Sequence, residues 1–169
     1  AWANLSFDAL QKKVYEHTFD VLTALKKAGV TPEWVQVGNE IPGGMLWPDG
    51  STNNWAQLAQ LLNKGYEATK AVNAKIKVIV HVDEGNNNEK FRWFFDKATE
   101  HQVKYDVIGL SYYPFWIKKD YSETIADLQK NLNDMASRYQ KEVMVVEVGG
   151  VDEQVQNTRE SAASSVGRF

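Results

Sequence analysis

Glu40 and Glu147 are the residues of this chain whose surroundings best suit catalysis. Each comes at the end of an apolar, β-branched stretch, "WVQVG" ahead of Asn39 and Glu40, and "EVMVV" directly before Glu147. Two carboxylates that face one substrate can share an acid/base reaction, because one stays ionised and attacks while the other delivers a proton. Glycoside hydrolysis uses such a pair, and a separation of about 5–5.5 Å gives retention through a covalent glycosyl-enzyme. The sequence supplies the pair but does not fix its distance.

Other polar residues also come where predicted strands end. Strands are predicted over 34–39, 75–83, 105–113 and 142–150 from their β-branched, apolar content. In parallel α/β proteins, ligands bind at the carboxyl ends of the strands. A single acid there could simply cap or pair at the surface, but the repetition at four strands favours an active face. The residues at these ends are Asn39, Glu40, His81, Asp83, Ser111, Tyr113 and Glu147.

Amphipathic helices are predicted on either side of these strands. Apolar residues from Leu10 to Leu25 recur at a helical period, with Ser6 as a cap and Gly29 just past the end. Alternating helices and strands predict right-handed crossovers and a parallel sheet. Similar periods cover 55–72, 86–102 and 122–140, a cap is expected among 51–54 and at Asn87 or Asn88, and a last helix is expected from Val155.

The composition argues against several classes of function. The 169 residues suffice for one domain with a core but are few for an α/β barrel, which usually takes about 250. A net charge of −3 without a basic cluster argues against nucleic-acid binding, and no apolar run approaches the roughly 20 residues of a membrane span. The absence of Cys excludes disulfides and thiolate metal sites. The aromatic content of 12% suits sugar rings, although such residues also fill cores.

Four stretches carry a resemblance to a known family. "VGNEIPGGMLWPDG", "HVDEG", "IGLSYYPFW" and "VMVVEVGG", in this order and spacing, resemble the arabinogalactan endo-β-1,4-galactanases of glycoside hydrolase family 53. The resemblance implies an α/β fold, a parallel (β/α) barrel of the retaining glycosidase clan. It also implies endo-hydrolysis of β-1,4-galactan, the polymer of type I arabinogalactan and pectin side chains, with no cofactor and with retention of configuration.

The resemblance also implies roles for individual residues. Glu40 matches the acid/base after the fourth barrel strand, and Glu147 matches the nucleophile after the seventh. Asn39 matches the partner of the sugar 2-hydroxyl, and Tyr113 matches a tyrosine that donates a hydrogen bond to the nucleophile. Sugar-facing positions are implied for Trp47 and Trp116, and positions at the fifth-strand end of the cleft for His81 and Asp83.

Several residues are expected to be structural instead. His17 and His101 lie on predicted helices, and Tyr112 is expected to face away from Tyr113 because neighbours on a strand alternate. His81 with Asp83 has no third ligand nearby, so no metal site is predicted. Residues 151–169 show no convincing calcium-ligand spacing. Packing roles are expected for Trp34, Trp55 and Trp93.

The motifs cover only part of the family's barrel. Residues 1–169 are expected to be the C-terminal-half segment of a single (β/α)8 catalytic domain, holding the fourth to seventh strands, with strands one to three and eight lying outside it. The start lacks Met and a signal peptide, as expected of a mature or excised segment. "VEVGG" also departs from the family, in which many members have Thr after the Glu and an aromatic residue two positions after it.

Alternatives remain for the function of such a segment. It could be a non-catalytic half-barrel that binds sugar or assembles with another module, or part of a clan enzyme that acts on another β-linked polysaccharide. The expected partners are galactan chains, without nucleic acid or membrane, together with self-association or complementation by the missing barrel segment. The resemblance implies a secreted, periplasmic or cell-surface location.

Overall fold

Helices and strands alternate along the chain, as predicted. The computed structural model describes Trp2 and residues 4–149, so the helix expected from Val155 lies outside the described residues. A short 3-10 helix, Pro114–Ile117, was not predicted. The elements are α1 (Phe7–Lys27), β1 (Trp34–Gln36), α2 (Trp55–Val72), β2 (Lys77–Val82), α3 (Asn88–Glu100), β3 (Val107–Tyr112), α4 (Tyr121–Tyr139) and β4 (Glu142–Val148).

The four described strands form one parallel sheet in the order β1-β2-β3-β4. The pairing of β3 with β4 shifts by one residue after Leu110, which lies opposite Val145, so that Ser111 lies opposite Glu147. Such irregularities change where side chains point near the end of a strand. The shift makes Ser111 and Glu147 direct lateral neighbours.

Alternate residues of β2 and β3 face opposite sides of the sheet. Val78, Val80 and Val82 pack with the helices in the main core, as do Ile108, Leu110 and Tyr112 of β3. Three fully buried phenylalanines of α3 belong to this core: Phe91, Phe94 and Phe95. Because side chains alternate along a strand, His81 and Ser111 project from the other face, near the strand ends. That face carries the polar cluster described below.

The predicted helix caps are partly observed. The Ser6 hydroxyl accepts a hydrogen bond from the amide of Ala9, and the Asn87 side chain accepts one from the amide of Lys90. Asn54 precedes α2 but makes no capping bond with its side chain. α4 begins one residue before the predicted 122, because Asp120 and Glu123 form a reciprocal capping box.

Within the described residues, no helix combines the length and apolarity needed to cross a membrane.

The observed strands are shorter than the predicted ones. The segment predicted as strand 34–39 pairs only as far as Gln36, with one further bond from the amide of Val37 to the carbonyl of Ile79. Gly38 then adopts a φ of +82°, and a Cβ there would lie 2.7 Å from Cγ2 of Ile41. Only glycine combines that backbone angle with that contact, so the strand ends here and the chain turns.

Candidate active site

The carboxyl ends of the strands surround a cleft of about 380 Å³. Five of the eight residues predicted for the site line it, and the structure brings them together from loops that are far apart in sequence. Asn39, Trp47 and His81 are not among the lining residues. The lining consists of Glu40, Asp83, Glu84, Asn86, Ser111, Tyr113, Trp116, Ile117 and Glu147.

Glu40 and Glu147 approach each other in this cleft. A carboxylate oxygen of each, together with a ring nitrogen of His81, lie within 4.8 Å of one another. The two glutamates are 107 residues apart (147 − 40) and lie at the two outer strands of the described sheet, Glu40 just after β1 and Glu147 near the end of β4. Two carboxylates at this distance can act on opposite sides of the same bond.

The backbone at Glu40 is in an uncommon conformation. Its φ is +46°, in the left-handed region that non-glycine residues rarely occupy. The turn is held by His81, whose carbonyl accepts from the amide of Ile41 at 3.0 Å and whose Nδ1 accepts from the amide of Glu40 at 3.3 Å. Such conformations persist where surrounding contacts fix them and are concentrated at functional sites. The turn directs the Glu40 carboxylate into the cleft.

His81 lies beneath the two carboxylates and not on the cleft wall. Its side chain is fully buried, and its Nε2 lies 2.7 Å from the hydroxyl of Ser111. Burial lowers the pKa of His81, while Glu147, Glu40 and Asp83 oppose this shift. The buried position of His81 therefore does not support the predicted contact with a sugar. It suits a role in supporting Glu40 and Ser111 through hydrogen bonds.

Tyr113 supports Glu147 from the end of β3. Its hydroxyl donates a hydrogen bond to Oε2 of Glu147 at 3.1 Å. This bond raises the pKa of Tyr113, so the phenol keeps the proton that it donates. Tyr112 faces the opposite side, where its hydroxyl lies 2.7 Å from that of Thr124, as the strand alternation predicted.

The aromatic residues predicted to face sugar differ in position. Trp116 lies in the 3-10 helix, is 73% exposed and lines the cleft. Trp47 is 63% exposed but belongs to the loop after Ile41, outside the cleft lining. Asn39 accepts a hydrogen bond from the side-chain amide of Gln36 at 3.2 Å. The sugar-binding roles of Trp47 and Asn39 stay predictions.

Most of the residues expected to be structural make packing contacts, whereas Trp34 at the start of β1 is 41% exposed, so its expected packing role is not supported. Trp55 is buried and packs edge-on against Phe94 at a ring distance of 4.9 Å. Trp93 also packs against Trp55, and the ring of His101 stacks on the ring of Trp55. His17 packs edge-on against Trp2. None of these rings lines the cleft.

The loop after β2 contributes residues that the sequence did not single out. Glu84 and Asn86 line the cleft beside Asp83, whose carboxylate pairs with Nζ of Lys90 at 2.6 Å.

Ser111 of β3, which the sequence marked only as a polar strand end, contacts Glu40 directly, since its hydroxyl donates to Oε1 at 2.5 Å. The period of two in "SYY" places Ser111 on the same face as Tyr113, which was the available signal for its role.

A buried amide network anchors this loop. Asn131 of α4 is fully buried and donates to the carbonyl of Gly85 at 2.7 Å. Its own carbonyl oxygen accepts from Asn88, which also donates to Asp134. Arg92 contacts Asp134 through two hydrogen bonds and is the largest cause lowering the pKa of that carboxyl to about 2. The loop is therefore fixed to two helices.

Glu40, His81 and Glu147 are also the group of potential metal ligands found among the described residues. Their fit to a metal is poor, because both ring nitrogens of His81 already take part in hydrogen bonds, Nδ1 with the amide of Glu40 and Nε2 with Ser111. A metal ion would have to displace one of these bonds.

Gly149 gives Tyr113 the room to reach Glu147. A Cβ at Gly149 would lie 2.7 Å from Cε1 of the Tyr113 ring. Gly149→Ala is therefore expected to displace the ring and to lower kcat of the complete protein by about tenfold, the scale of one hydrogen bond to a charged group. Steady-state kinetics of the complete protein measures this change.

A double-mutant cycle separates this effect from a general loss of structure. If Gly149→Ala acts through the Tyr113 hydroxyl, it should cost far less in a Tyr113→Phe background than alone. Additive losses in the cycle would show that Gly149 affects the site by another route.

The chain matches a family model over most of its length. The model described as "Glycosyl hydrolase family 53" matches residues 1–166. An arabinogalactan endo-beta-1,4-galactanase of Humicola insolens is 38% identical over 141 residues, which cover 80% of this chain and 42% of that protein. An endo-beta-1,4-galactanase of Bacillus subtilis (strain 168) is 38% identical over 147 residues, covering 87% of this chain and 32% of that protein.

Solved structures show the same fold. A GH53 catalytic domain of Ignisphaera aggregans matches with a TM-score of 0.80 at 37% identity, over 87% of this chain and 39% of that one. One of two fungal beta-1,4-galactanases matches with a TM-score of 0.78 at 36% identity, over 85% and 44%. The chain thus spans about two fifths of the length of most of these relatives. Its four parallel strands and their helices form a half-barrel, a fragment of a (β/α)8 barrel.

Proposed function

Since this chain belongs to glycosyl hydrolase family 53, we propose that a complete barrel containing it is a glycoside hydrolase that cuts β-1,4-galactan internally. The relatives named as endo-β-1,4-galactanases support this substrate. The observation that carries the proposal is the approach of Glu40 and Glu147 to within 4.8 Å at the strand ends of one cleft.

The same approach supports hydrolysis with retention of configuration. Retaining glycosidases hold their two carboxyl groups about 5–5.5 Å apart, whereas inverting enzymes hold them about 6.5–9.5 Å apart to admit a water molecule. An oxygen of Glu40 within 4.8 Å of an oxygen of Glu147 is closer to the retaining spacing than to the inverting one. One of the two carboxylates is therefore assigned as a nucleophile.

The hydrogen bonds around each carboxylate support the division of roles. In the first step Glu147 attacks the anomeric carbon, Glu40 gives its proton to the glycosidic oxygen, and the bond to the leaving sugar breaks. In the second step Glu40, now ionised, takes a proton from water while that water displaces Glu147 from the same carbon. Tyr113 donates to Glu147 and holds its charge in place for the first attack.

The remaining lining residues are assigned to substrate binding. Trp116 offers an exposed indole at the cleft, a surface on which the apolar face of a galactose ring can stack. Asp83, in the loop after β2, offers carboxylate oxygens to sugar hydroxyls, and Lys90 holds it there.

Galactan is a large polymer that does not cross a membrane unaided, so a secreted, periplasmic or cell-surface location follows from the proposed substrate.

The half-barrel needs further strands beside it. Among the described residues, β1 and β4 each pair on one side only. Unpaired strand edges promote association with other chains. We assign these edges to the rest of the barrel, supplied by another segment of the same protein, and a second copy of this chain is the competing partner.

Polysaccharide hydrolysis by the complete protein tests the proposal. We expect β-1,4-galactan to lose viscosity before much reducing sugar appears, which is the signature of internal cleavage. Mannan and carboxymethyl cellulose serve as controls, and their cleavage should be far slower. Faster cleavage of either control would reject galactan as the substrate, and release of single galactose units from chain ends would reject the endo mode.

A further inference from the structure

His81 and Ser111 link the backbone of Glu40 to its own carboxylate. The amide of Glu40 donates to Nδ1 of His81 at 3.3 Å, Nε2 of His81 lies 2.7 Å from Oγ of Ser111, and that hydroxyl lies 2.5 Å from Oε1 of Glu40. The side chains of both intermediate residues are buried, with exposures of 0% and 1%. Three hydrogen bonds thus form a closed loop shielded from solvent.

The direction of each bond in this loop follows from the first. A backbone amide can only donate, so Nδ1 of His81 must be the acceptor and carries no proton. The proton of the neutral ring is then on Nε2 and is donated to Ser111. The single hydroxyl proton of Ser111 is left for Oε1 of Glu40. The backbone turn at Glu40 therefore sets the tautomer of His81, which lies beneath the cleft.

We propose that His81 and Ser111 are positioning residues for the general acid, which keep Oε1 of Glu40 as a hydrogen-bond acceptor and reserve Oε2 for the proton that is transferred. This inference rests on the proposed role of Glu40 as acid/base. Only Oε1 of Glu40 takes part in the loop, and Glu40 lines the cleft where the glycosidic oxygen would bind.

The loop also favours release of the proton. A hydrogen bond from a hydroxyl is stronger to a carboxylate than to a neutral acid. The bond from Ser111 to Glu40 therefore strengthens as the proton leaves Oε2, so it stabilises the transition state more than the ground state. His81 fixes the orientation of the Ser111 hydroxyl, which would otherwise be free to rotate.

The charged groups around the loop are consistent with a neutral His81. Glu147 faces it from β4, with Oε1 at 3.9 Å from Nδ1, and Asp83 lies just past the end of β2, the strand that carries His81. Burial lowers the pKa of His81 in spite of these carboxylates and that of Glu40. A neutral ring can accept the Glu40 amide, whereas protonation at low pH would place a second donor against it and open the loop.

Ser111→Ala in a complete barrel containing this chain tests the proposal. We expect kcat/KM on galactan to fall about tenfold, because one hydrogen bond to a charged group is lost. A dinitrophenyl β-galactobioside needs no proton on its leaving group, so its kcat/KM, which reports only the first step, should be unchanged.

Two further variants complete the test. Thr124→Val removes a different buried hydroxyl, that bonded to Tyr112, and should leave both activities unchanged. His81→Asn can still accept near the position of Nδ1 but does not extend to Ser111, so it should reproduce the selective loss on galactan. Ser111→Ala and His81→Asn act on the same loop, so their combination should cost no more than the larger single loss.

Equal losses of kcat/KM on both substrates would overturn the positioning role. Glu40→Gln serves as the reference for the proposed function. If Glu40→Gln itself failed to discriminate between galactan and the dinitrophenyl substrate, the assignment of Glu40 as acid would be rejected and this inference with it. If Glu40→Gln discriminated while Ser111→Ala and His81→Asn did not, only this inference would be rejected.

Discussion

Glu147→Gln in a complete barrel containing this chain is expected to lower kcat on β-1,4-galactan by about 10⁴-fold or more, the scale on which loss of a covalent nucleophile acts. The amide has the shape of the carboxylate and can still accept from the Tyr113 hydroxyl, so the site should keep its geometry. It cannot form the glycosyl-enzyme, however. Steady-state release of reducing sugar measures the loss, on galactan and on aryl substrates alike.

Glu142→Gln is the matched control for this variant. Glu142 lies on the same strand, β4, but its exposed carboxylate pairs with Lys77 at the other end of the strand. Its replacement should leave activity unchanged, because exposed ion pairs contribute little. Azide gives a second readout in Glu147→Ala, where it should restore turnover and yield an α-galactosyl azide. A β-galactosyl azide, or a Glu147→Gln enzyme with substantial activity, would contradict the role of Glu147.

Glu40→Gln is expected to slow galactan hydrolysis by about 10²–10⁴-fold, the range found for loss of a general acid. The first step with a dinitrophenyl leaving group should be spared, because that phenolate departs without a proton. The second step still lacks its base, so the glycosyl-enzyme should accumulate. Stopped-flow release of dinitrophenol should therefore show a burst followed by slow turnover.

Glu33→Gln is the control for this second variant. Glu33 precedes β1, is exposed and does not line the cleft. Its replacement should give neither the loss on galactan nor the burst. A Glu40→Gln enzyme without the burst, in which the first step with the dinitrophenyl substrate was slowed as much as galactan hydrolysis, would show that Glu40 is not the proton donor.

The arrangement of helices and strands was predictable from local patterns. The helical period from Leu10 to Leu25 and the caps at Ser6 and Asn87 are properties of neighbouring residues, and the structure reproduces them. The polar residues at strand ends were also predictable, because a parallel sheet places the ends of all its strands on one edge. Glu40 and Glu147 meet for that reason.

The supporting contacts depend on relations between strands that no local pattern encodes. Ser111 lies beside Glu147 only because the pairing of β3 with β4 shifts by one residue after Leu110. His81 was expected at the cleft wall, but its place beneath Glu40 follows from the left-handed turn at Glu40 and the bond from its amide. A side chain one layer below the cleft and one on its surface look alike in sequence, since both end a strand.

The anchoring of the cleft loop was equally hidden. Asn131 falls within a helical pattern, and its fully buried side chain makes sense only beside the carbonyl of Gly85 from another loop. Buried polar groups of this kind are satisfied by partners distant in sequence.

Trapping of the covalent intermediate tests the central claim, that Glu147 is the nucleophile of a retaining galactanase, most directly. The probe is a 2-deoxy-2-fluoro-β-galactobiosyl fluoride, in which the fluorine at C2 slows both steps and the fluoride leaving group restores the first. Incubation with the complete protein, followed by mass spectrometry of its peptides, should show one glycosyl group per molecule, attached to Glu147. A label on Glu40, or continued turnover of the probe by an enzyme that never becomes labelled, would contradict the account.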